Sequence, residues 1–119
     1  FDAFLIKENH IAACGDIKTA VARARKFAQS IPIEVEVENL EQLLEALSTG
    51  CERIMLDNFS ISTIREAVNL AKGYETKLEV SGNISMANLE EVASTGVDYI
   101  SIGALTKNCT ALDLSLILI

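Results

Sequence analysis

The residues able to do chemistry recur at intervals along this chain rather than gathering in one motif. Ile33-Glu34-Val35-Glu36-Val37-Glu38 sets carboxylates at every second position of a stretch that otherwise reads as a β-strand. Period-2 alternation puts Glu34, Glu36 and Glu38 on one face and Ile33, Val35 and Val37 on the other. Lys7, Asp57, Ser81-Gly82-Asn83 and Gly103-Ala104 each follow a short strand-like run. Glu36 and Asp57, coming from separate strands, suit a hard cation such as Mg2+ or the hydroxyls of a sugar. Lys7 is a cation for an anionic group or for neutralising those carboxylates. The glycine-bearing turns at Gly82 and Gly103 let backbone N–H groups approach a phosphate, and a helix N-terminus beyond each adds its dipole. The single His10 has no second His or nearby Cys with which to build a metal site, so a capping or turn role beside Lys7 is expected.

Apolar periodicity gives the elements that must position these groups. A first strand covers Ala3 to Lys7 and is followed by a polar turn at Glu8-Asn9-His10. Asp16 N-caps a helix with Ile17, Ala20, Val21, Ala24, Phe27 and Ala28 facing inward and Arg23, Arg25 and Lys26 towards solvent. Pro32 separates it from the carboxylate strand. Asn39 and Gln42 form a capping-box variant opening a helix striped by Leu40, Leu43, Leu44 and Leu47, which Gly50 stops. A strand from Arg53 ends at Asp57-Asn58, and Ser60 or Ser62 caps a helix with Ile64, Ala67, Val68 and Ala71 inward. Lys77 to Val80 is a strand running into Ser81, and Ser85 caps a short helix carrying Met86, Leu89, Val92 and Ala93. Asp98 to Ile102 leads into Gly103, and Ala111 to Ile119 is apolar enough for a buried closing helix.

Strands alternating with helices predict an α/β fold of repeated βα units with a parallel sheet and right-handed crossovers. Side-chain parity sharpens this. Lys7, Asp57, Ser81 and Gly103 fall on the polar faces of their strands, while Ile6, Leu56, Val80 and Ile102 fall on faces suited to helices. Helices outside and polar groups lining a mouth at the carboxyl ends is the layout of a barrel, in which the last two strand-loop units frequently hold phosphate.

Composition bounds the rest. A chain of 119 residues, half of them hydrophobic, supports one domain. Net charge of −7 and a pI near 4.6 argue against a general nucleic-acid role. No apolar run approaches the roughly 18 residues of a membrane span, and Phe1, with no basic segment ahead of Ala3-Phe4-Leu5-Ile6, does not begin a signal peptide. Cys14, Cys51 and Cys109 form an odd set without C-x-x-C spacing, as expected for reduced thiols of a cytoplasmic protein.

Taken in order, Leu5-Ile6-Lys7-Glu8-Asn9-His10, Glu34-Val35-Glu36-Val37-Glu38, Met55-Leu56-Asp57-Asn58-Phe59, Glu79-Val80-Ser81-Gly82-Asn83-Ile84 and the run Thr95 to Thr106 resemble quinolinate phosphoribosyltransferase, the decarboxylating nicotinate-nucleotide pyrophosphorylase. The resemblance implies that residues 1–119 are the carboxyl-terminal portion of an open (βα) TIM-like barrel whose amino-terminal sandwich domain is absent. A whole barrel needs about 250 residues. The implied reaction transfers phosphoribosyl from phosphoribosyl pyrophosphate to quinolinate with decarboxylation, giving nicotinate mononucleotide for NAD biosynthesis. It implies Mg2+, no organic cofactor, and a homodimer or higher homo-oligomer, with neither nucleic acid nor membrane as partner. By the same resemblance Lys7 lies near the substrate anions. Glu36 and Asp57 hold the ribose hydroxyls and Mg2+, directly or through water. Ser81, Gly82 and Gly103, with Asn83 in the same turn, receive the sugar phosphate.

The family's arginines and its histidine-arginine pair that grip quinolinate lie upstream, and Arg23, Arg25, Arg53 and Arg65 sit away from the mouth. The piece alone is therefore expected to lack turnover. A paralogous phosphoribosyltransferase with another substrate is one alternative. Another is a flavodoxin-like receiver domain, with Asp57, Ser81 and Lys107 as phosphoacceptor, switch hydroxyl and lysine, although Lys7-Glu8-Asn9 lacks the acidic pair that a receiver's first strand needs. A non-catalytic barrel fragment, prone to associate through its first-strand edge, is a further reading.

Overall fold

The sheet is laid down in the order in which the chain is made. In the computed structural model, which describes residues 3–82, 84–101 and 111–113, the strands are β1 (Phe4–Ile6), β2 (Ile33–Val37), β3 (Arg53–Asp57), β4 (Lys77–Ser81), β5 (Tyr99–Ser101) and β6 (Ala111–Asp113). They hydrogen-bond in sequential order, the first five in parallel and β6 antiparallel to β5. Between them lie α1 (Glu8–Cys14), α2 (Ile17–Phe27), α3 (Leu40–Ser48), α4 (Ile61–Ala71) and α5 (Leu89–Ala93). A strand order that never reverses is a stretch of barrel wall. A flavodoxin-like receiver needs the order 2-1-3-4-5, so the topology excludes that alternative.

Ile33, Val35, Val37, Ile54, Leu56, Val80 and Ile100 are buried, and they pack with Ile17, Ala20 and Val21 of α2, Leu43 and Leu47 of α3, and Ile64 and Ala67 of α4. Each such Ile, Leu or Val contributes about 1.5–3 kcal/mol by leaving water. The other face carries Glu34, Glu36, Arg53, Met55, Asp57, Glu79, Ser81 and Tyr99, as register pairs such as Glu36 with Met55 and Asp57 with Ser81 require. The carboxylate strand is therefore an interior strand, paired on both edges.

The caps follow the sequence closely. Asp16 Oδ1 accepts from the Thr19 N–H at 2.7 Å, Asn39 Oδ1 from Gln42 at 2.8 Å, and Ser60 Oγ from Thr63 at 3.2 Å. Such caps contribute about 1 kcal/mol each. Gln42 reaches back to the Glu38 N–H at 2.7 Å, one residue before the cap itself.

Several expectations are corrected. Glu8-Asn9-His10 is the first turn of α1 and not a loop. The Lys7 carbonyl accepts the N–H groups of His10 and Ile11, and His10 Nδ1 accepts the Lys7 N–H at 3.1 Å. His10 thus has the capping role expected of it, but α1 buries none of its residues and so left no apolar stripe to read. Phe27, the last residue of α2, is 86% exposed, and Leu44 and Met86 are also exposed. Ala46 takes the inward place on α3. Ser85 opens a turn instead of a helix: its N–H donates to Asn88 Oδ1 at 2.9 Å, and Asn88 is the N-cap of α5. Within the segment expected to close the domain as a helix, Ala111–Asp113 is a strand, since pairing with β5 satisfies backbone groups that a helix would satisfy internally. Residues 114–119 lie outside the described residues.

Among the described residues no helix is long and apolar enough to cross a membrane.

Candidate functional site

Parity alone makes the three glutamates of β2 equivalent, but depth separates them. Glu34 is 8% exposed, Glu36 is half-buried and Glu38 is exposed. Glu36 stands where β2 approaches the carboxyl end of β3. Its register partner is Met55, which puts Asp57 one step further along the same face. Burial pushes the Glu36 carboxyl up, the Asp57 charge pushes it further, and the Lys7 ammonium pulls it back. Of the groups singled out from the sequence, Glu36 therefore feels both Lys7 and Asp57 in the fold.

Lys7 is exposed at the N-terminus of α1. With Asn9, Glu36, Glu38 and Gln42 it lines a pocket of about 340 Å3 between the start of α1 and the loop from β2 to α3. One ammonium facing carboxylates at the rim of this pocket can hold an anion close to acidic groups. Glu36, raised by burial and by the Asp57 charge, and Asp57 on the next strand offer two carboxylates to a cation or a set of hydroxyls.

At the next strand end Ser81 is half-buried, and its carbonyl accepts the Asn58 N–H at 3.1 Å. Gly82 follows with φ +80, where a Cβ would run into the Asn58 side chain and lie 3.2 Å from the Asn58 nitrogen. Asn58 itself has φ 57, a left-handed conformation that Asn tolerates better than most residues. These two turns are fitted to one another. Gly82→Ala is expected to destabilise the domain by about 1–3 kcal/mol and to displace Asn58. Thermal melting of the variant measures the first effect, and an unchanged melting temperature would show that the turns do not need this fit. Asn83 and Gly103, the other expected phosphate-turn residues, lie outside the described residues, as do Lys107 and Cys109.

Sequence reasoning missed Asn58, although an Asn directly after a strand-terminal Asp is a usable signal for a left-handed turn. It also missed the floor of the polar face. Arg53 is away from the mouth, as expected, yet its side chain is buried against the sheet interior. Its Nη1 donates to Glu79 Oε1 at 3.1 Å, with the two side chains 6% and 3% exposed, and its guanidinium carbon lies 3.8 Å from the centre of the Tyr99 ring. Glu34 joins this group. Burial first, then the hydrogen bond and charge of Glu79, push the Glu34 carboxyl up to about 8. Its buried Oε1 has no hydrogen-bond donor beside it, which suits an acid that keeps its proton. Burial and Glu79 thus favour the protonated, neutral form of Glu34 in the floor of the polar face.

As to metals, no three His, Cys, Asp or Glu side chains converge as a ligand set among the described residues. Glu36 and Asp57 provide two carboxylate donors. That suits Mg2+, which is commonly held by one or two carboxylates together with water and substrate phosphate oxygens. Cys51 is no candidate for chemistry, because burial pushes its thiol up to about 11.

Comparison with known proteins shows the family and the fold. Residues 1–117 match the family model described as quinolinate phosphoribosyl transferase, C-terminal domain. A probable nicotinate-nucleotide pyrophosphorylase (carboxylating) from Bacillus subtilis is 44% identical over 117 residues, covering 98% of this chain and 40% of that protein. A nicotinate-nucleotide pyrophosphorylase (carboxylating) from Mycobacterium leprae is 42% identical, covering 97% of this chain and 41% of its own length. Among solved structures, the nicotinate-nucleotide pyrophosphorylase of Francisella tularensis superposes with a TM-score of 0.85 at 49% identity, over 95% of this chain and 40% of that one. A thiamine phosphate pyrophosphorylase from Pyrococcus furiosus, 22% identical with a TM-score of 0.66, shares the fold. The chain thus spans about 40% of the length of the relatives it matches.

Proposed function

Because this chain belongs to the quinolinate phosphoribosyl transferase C-terminal domain family, we propose that it supplies the phosphoribosyl-pyrophosphate side of an active site completed by the rest of a longer polypeptide. The reaction joins C1 of the ribose to the ring nitrogen of quinolinate, releases pyrophosphate, and then loses the 2-carboxylate as carbon dioxide. The observation that carries this reading is that Glu36, at the mouth, feels both the Asp57 carboxylate and the Lys7 ammonium.

Each role follows from charge. As pyrophosphate departs, positive charge develops at the ribose, and the carboxylates of Glu36 and Asp57 stabilise it while accepting hydrogen bonds from the ribose hydroxyls. Lys7 holds a substrate anion at the rim. Ser81 and Gly82 offer hydroxyl and backbone donors to the sugar phosphate. Glu36 and Asp57 are also the residues that would hold Mg2+, which supplies charge neutralisation of the leaving group. Once the nitrogen is ribosylated, the cationic ring accepts the electron pair left at carbon 2 as carbon dioxide departs, and that carbon is then protonated. This chemistry needs no organic cofactor.

The groups that grip quinolinate belong to the polypeptide outside this chain, together with an amino-terminal sandwich domain. The whole protein is a cytoplasmic homodimer or higher homo-oligomer in this proposal. The complete polypeptide is expected to form nicotinate mononucleotide from quinolinate and phosphoribosyl pyrophosphate, and the 119-residue chain alone is expected to form none. Turnover by the short chain would overturn the division of labour. A complete polypeptide that consumes phosphoribosyl pyrophosphate only with another acceptor would make it a paralogue.

A further inference from the structure

The fold carries a buried polar tie that the reaction does not use. Arg53 pairs in register with Lys77, but its guanidinium leans two residues up β4 to reach Glu79. Glu79 is in turn the register partner of Tyr99 on β5, whose ring lies against the same guanidinium. One side chain therefore joins three strands. Among the described residues, β4 and β5 pair there through Glu79 with Tyr99 and Val80 with Ile100.

We propose that Arg53 is a positioning residue: clamped between Glu79 and Tyr99, it holds β3 and β4 at the relative height that sets Asp57 beside Ser81 at the mouth. The inference rests on the functional reading above. Asp57 lies on the same face of β3 as Arg53, about 13 Å further along, and Ser81 lies about 7 Å beyond Glu79. Asp57 and Ser81 are register partners, so any change in strand height at the floor appears as a change between the carboxylate and the phosphate turn. The Asn58 N–H to the Ser81 carbonyl is the tie at the mouth, and Arg53 is the tie beneath it.

The energetic balance favours a geometric role. A buried ion pair seldom stabilises a fold more than well-packed apolar residues of the same volume, because both charges lose water. It is nevertheless directional, since a planar guanidinium fixes both the carboxylate it bonds and the ring it stacks on. Displacements of about 1 Å at a reacting centre cost on the order of 100-fold in rate.

The test is the double variant Arg53→Met with Glu79→Leu in the complete polypeptide. Removing both charges avoids leaving one buried and unpaired. Melting within about 5 °C of the parent, with KM for phosphoribosyl pyrophosphate raised about tenfold or more and KM for quinolinate within about twofold, is the expected result. Kinetics equal to the parent's would overturn the inference. So would a double variant that fails to fold or melts far below the parent, since Arg53 would then be structural. A parent that does not use phosphoribosyl pyrophosphate sinks the functional reading itself, which separates the two failures.

Discussion

Glu36→Gln in the complete polypeptide is expected to lower kcat/KM for phosphoribosyl pyrophosphate by about 100- to 1,000-fold, the usual cost of deleting one group aimed at transition-state charge. Quinolinate binding is expected to change little, because its gripping groups lie elsewhere. The substitution keeps the shape of the side chain and one oxygen while removing the charge. In the fold that charge is disfavoured by burial and by Asp57, so the ligand-free variant should be at least as stable as the parent. Lost activity with retained stability is the signature of a group held at a cost for its function. Steady-state kinetics in each substrate, with melting curves alongside, checks both halves. Unchanged kinetics would return the carboxylate strand to a structural role.

Glu34→Gln is expected to act in the opposite way, on stability and its pH dependence. The Glu34 carboxyl is pushed from an ordinary 4.5 up to about 8 in the fold. Below about pH 4.5 this carboxyl is protonated in both the folded and the unfolded state, so it adds no pH dependence there. As pH rises from there towards 8, the unfolded chain releases this proton and the folded chain keeps it, and stability falls. At one pKa unit per 1.36 kcal/mol, the loss above pH 8 has an upper bound of about 5 kcal/mol. Glutamine matches the protonated acid in shape, retains an N–H for Glu79, and cannot ionise. The variant should therefore melt with the parent near pH 4.5 and several degrees above it at pH 9. Melting curves across this range, without substrate, measure it. Parallel pH profiles would mean that Glu34 is solvated and ionised.

These two glutamates lie two residues apart on one face of one strand; the sequence singled out Glu36 for ribose or metal, but did not tell how deeply either is buried. Parity was legible, because backbone geometry forces alternate side chains to opposite faces whatever surrounds them. The carboxyl-end placement of Lys7, Asp57 and Ser81 was legible for the same reason, as were the caps at Asp16 and Asn39, whose hydrogen bonds span only a few residues. Depth was not legible. It depends on Arg53, Glu79 and Tyr99, which lie on three other strands. The helix at Glu8–Cys14 was missed because it buries nothing, and the strand at Ala111–Asp113 because an apolar run does not reveal what it will pair with.

By itself, then, the sequence determined the repeated βα pattern, the face on which each group stands and the family resemblance, all of which are local or periodic properties. Only the tertiary structure decided that the strands follow one another without reversal, that Asn58 and Gly82 interlock, and that Glu36 stands at the mouth while Glu34 lies in the floor. The reason is physical: pairing order and desolvation are set by residues distant in sequence, and the charge state of a carboxylate follows its neighbours in space.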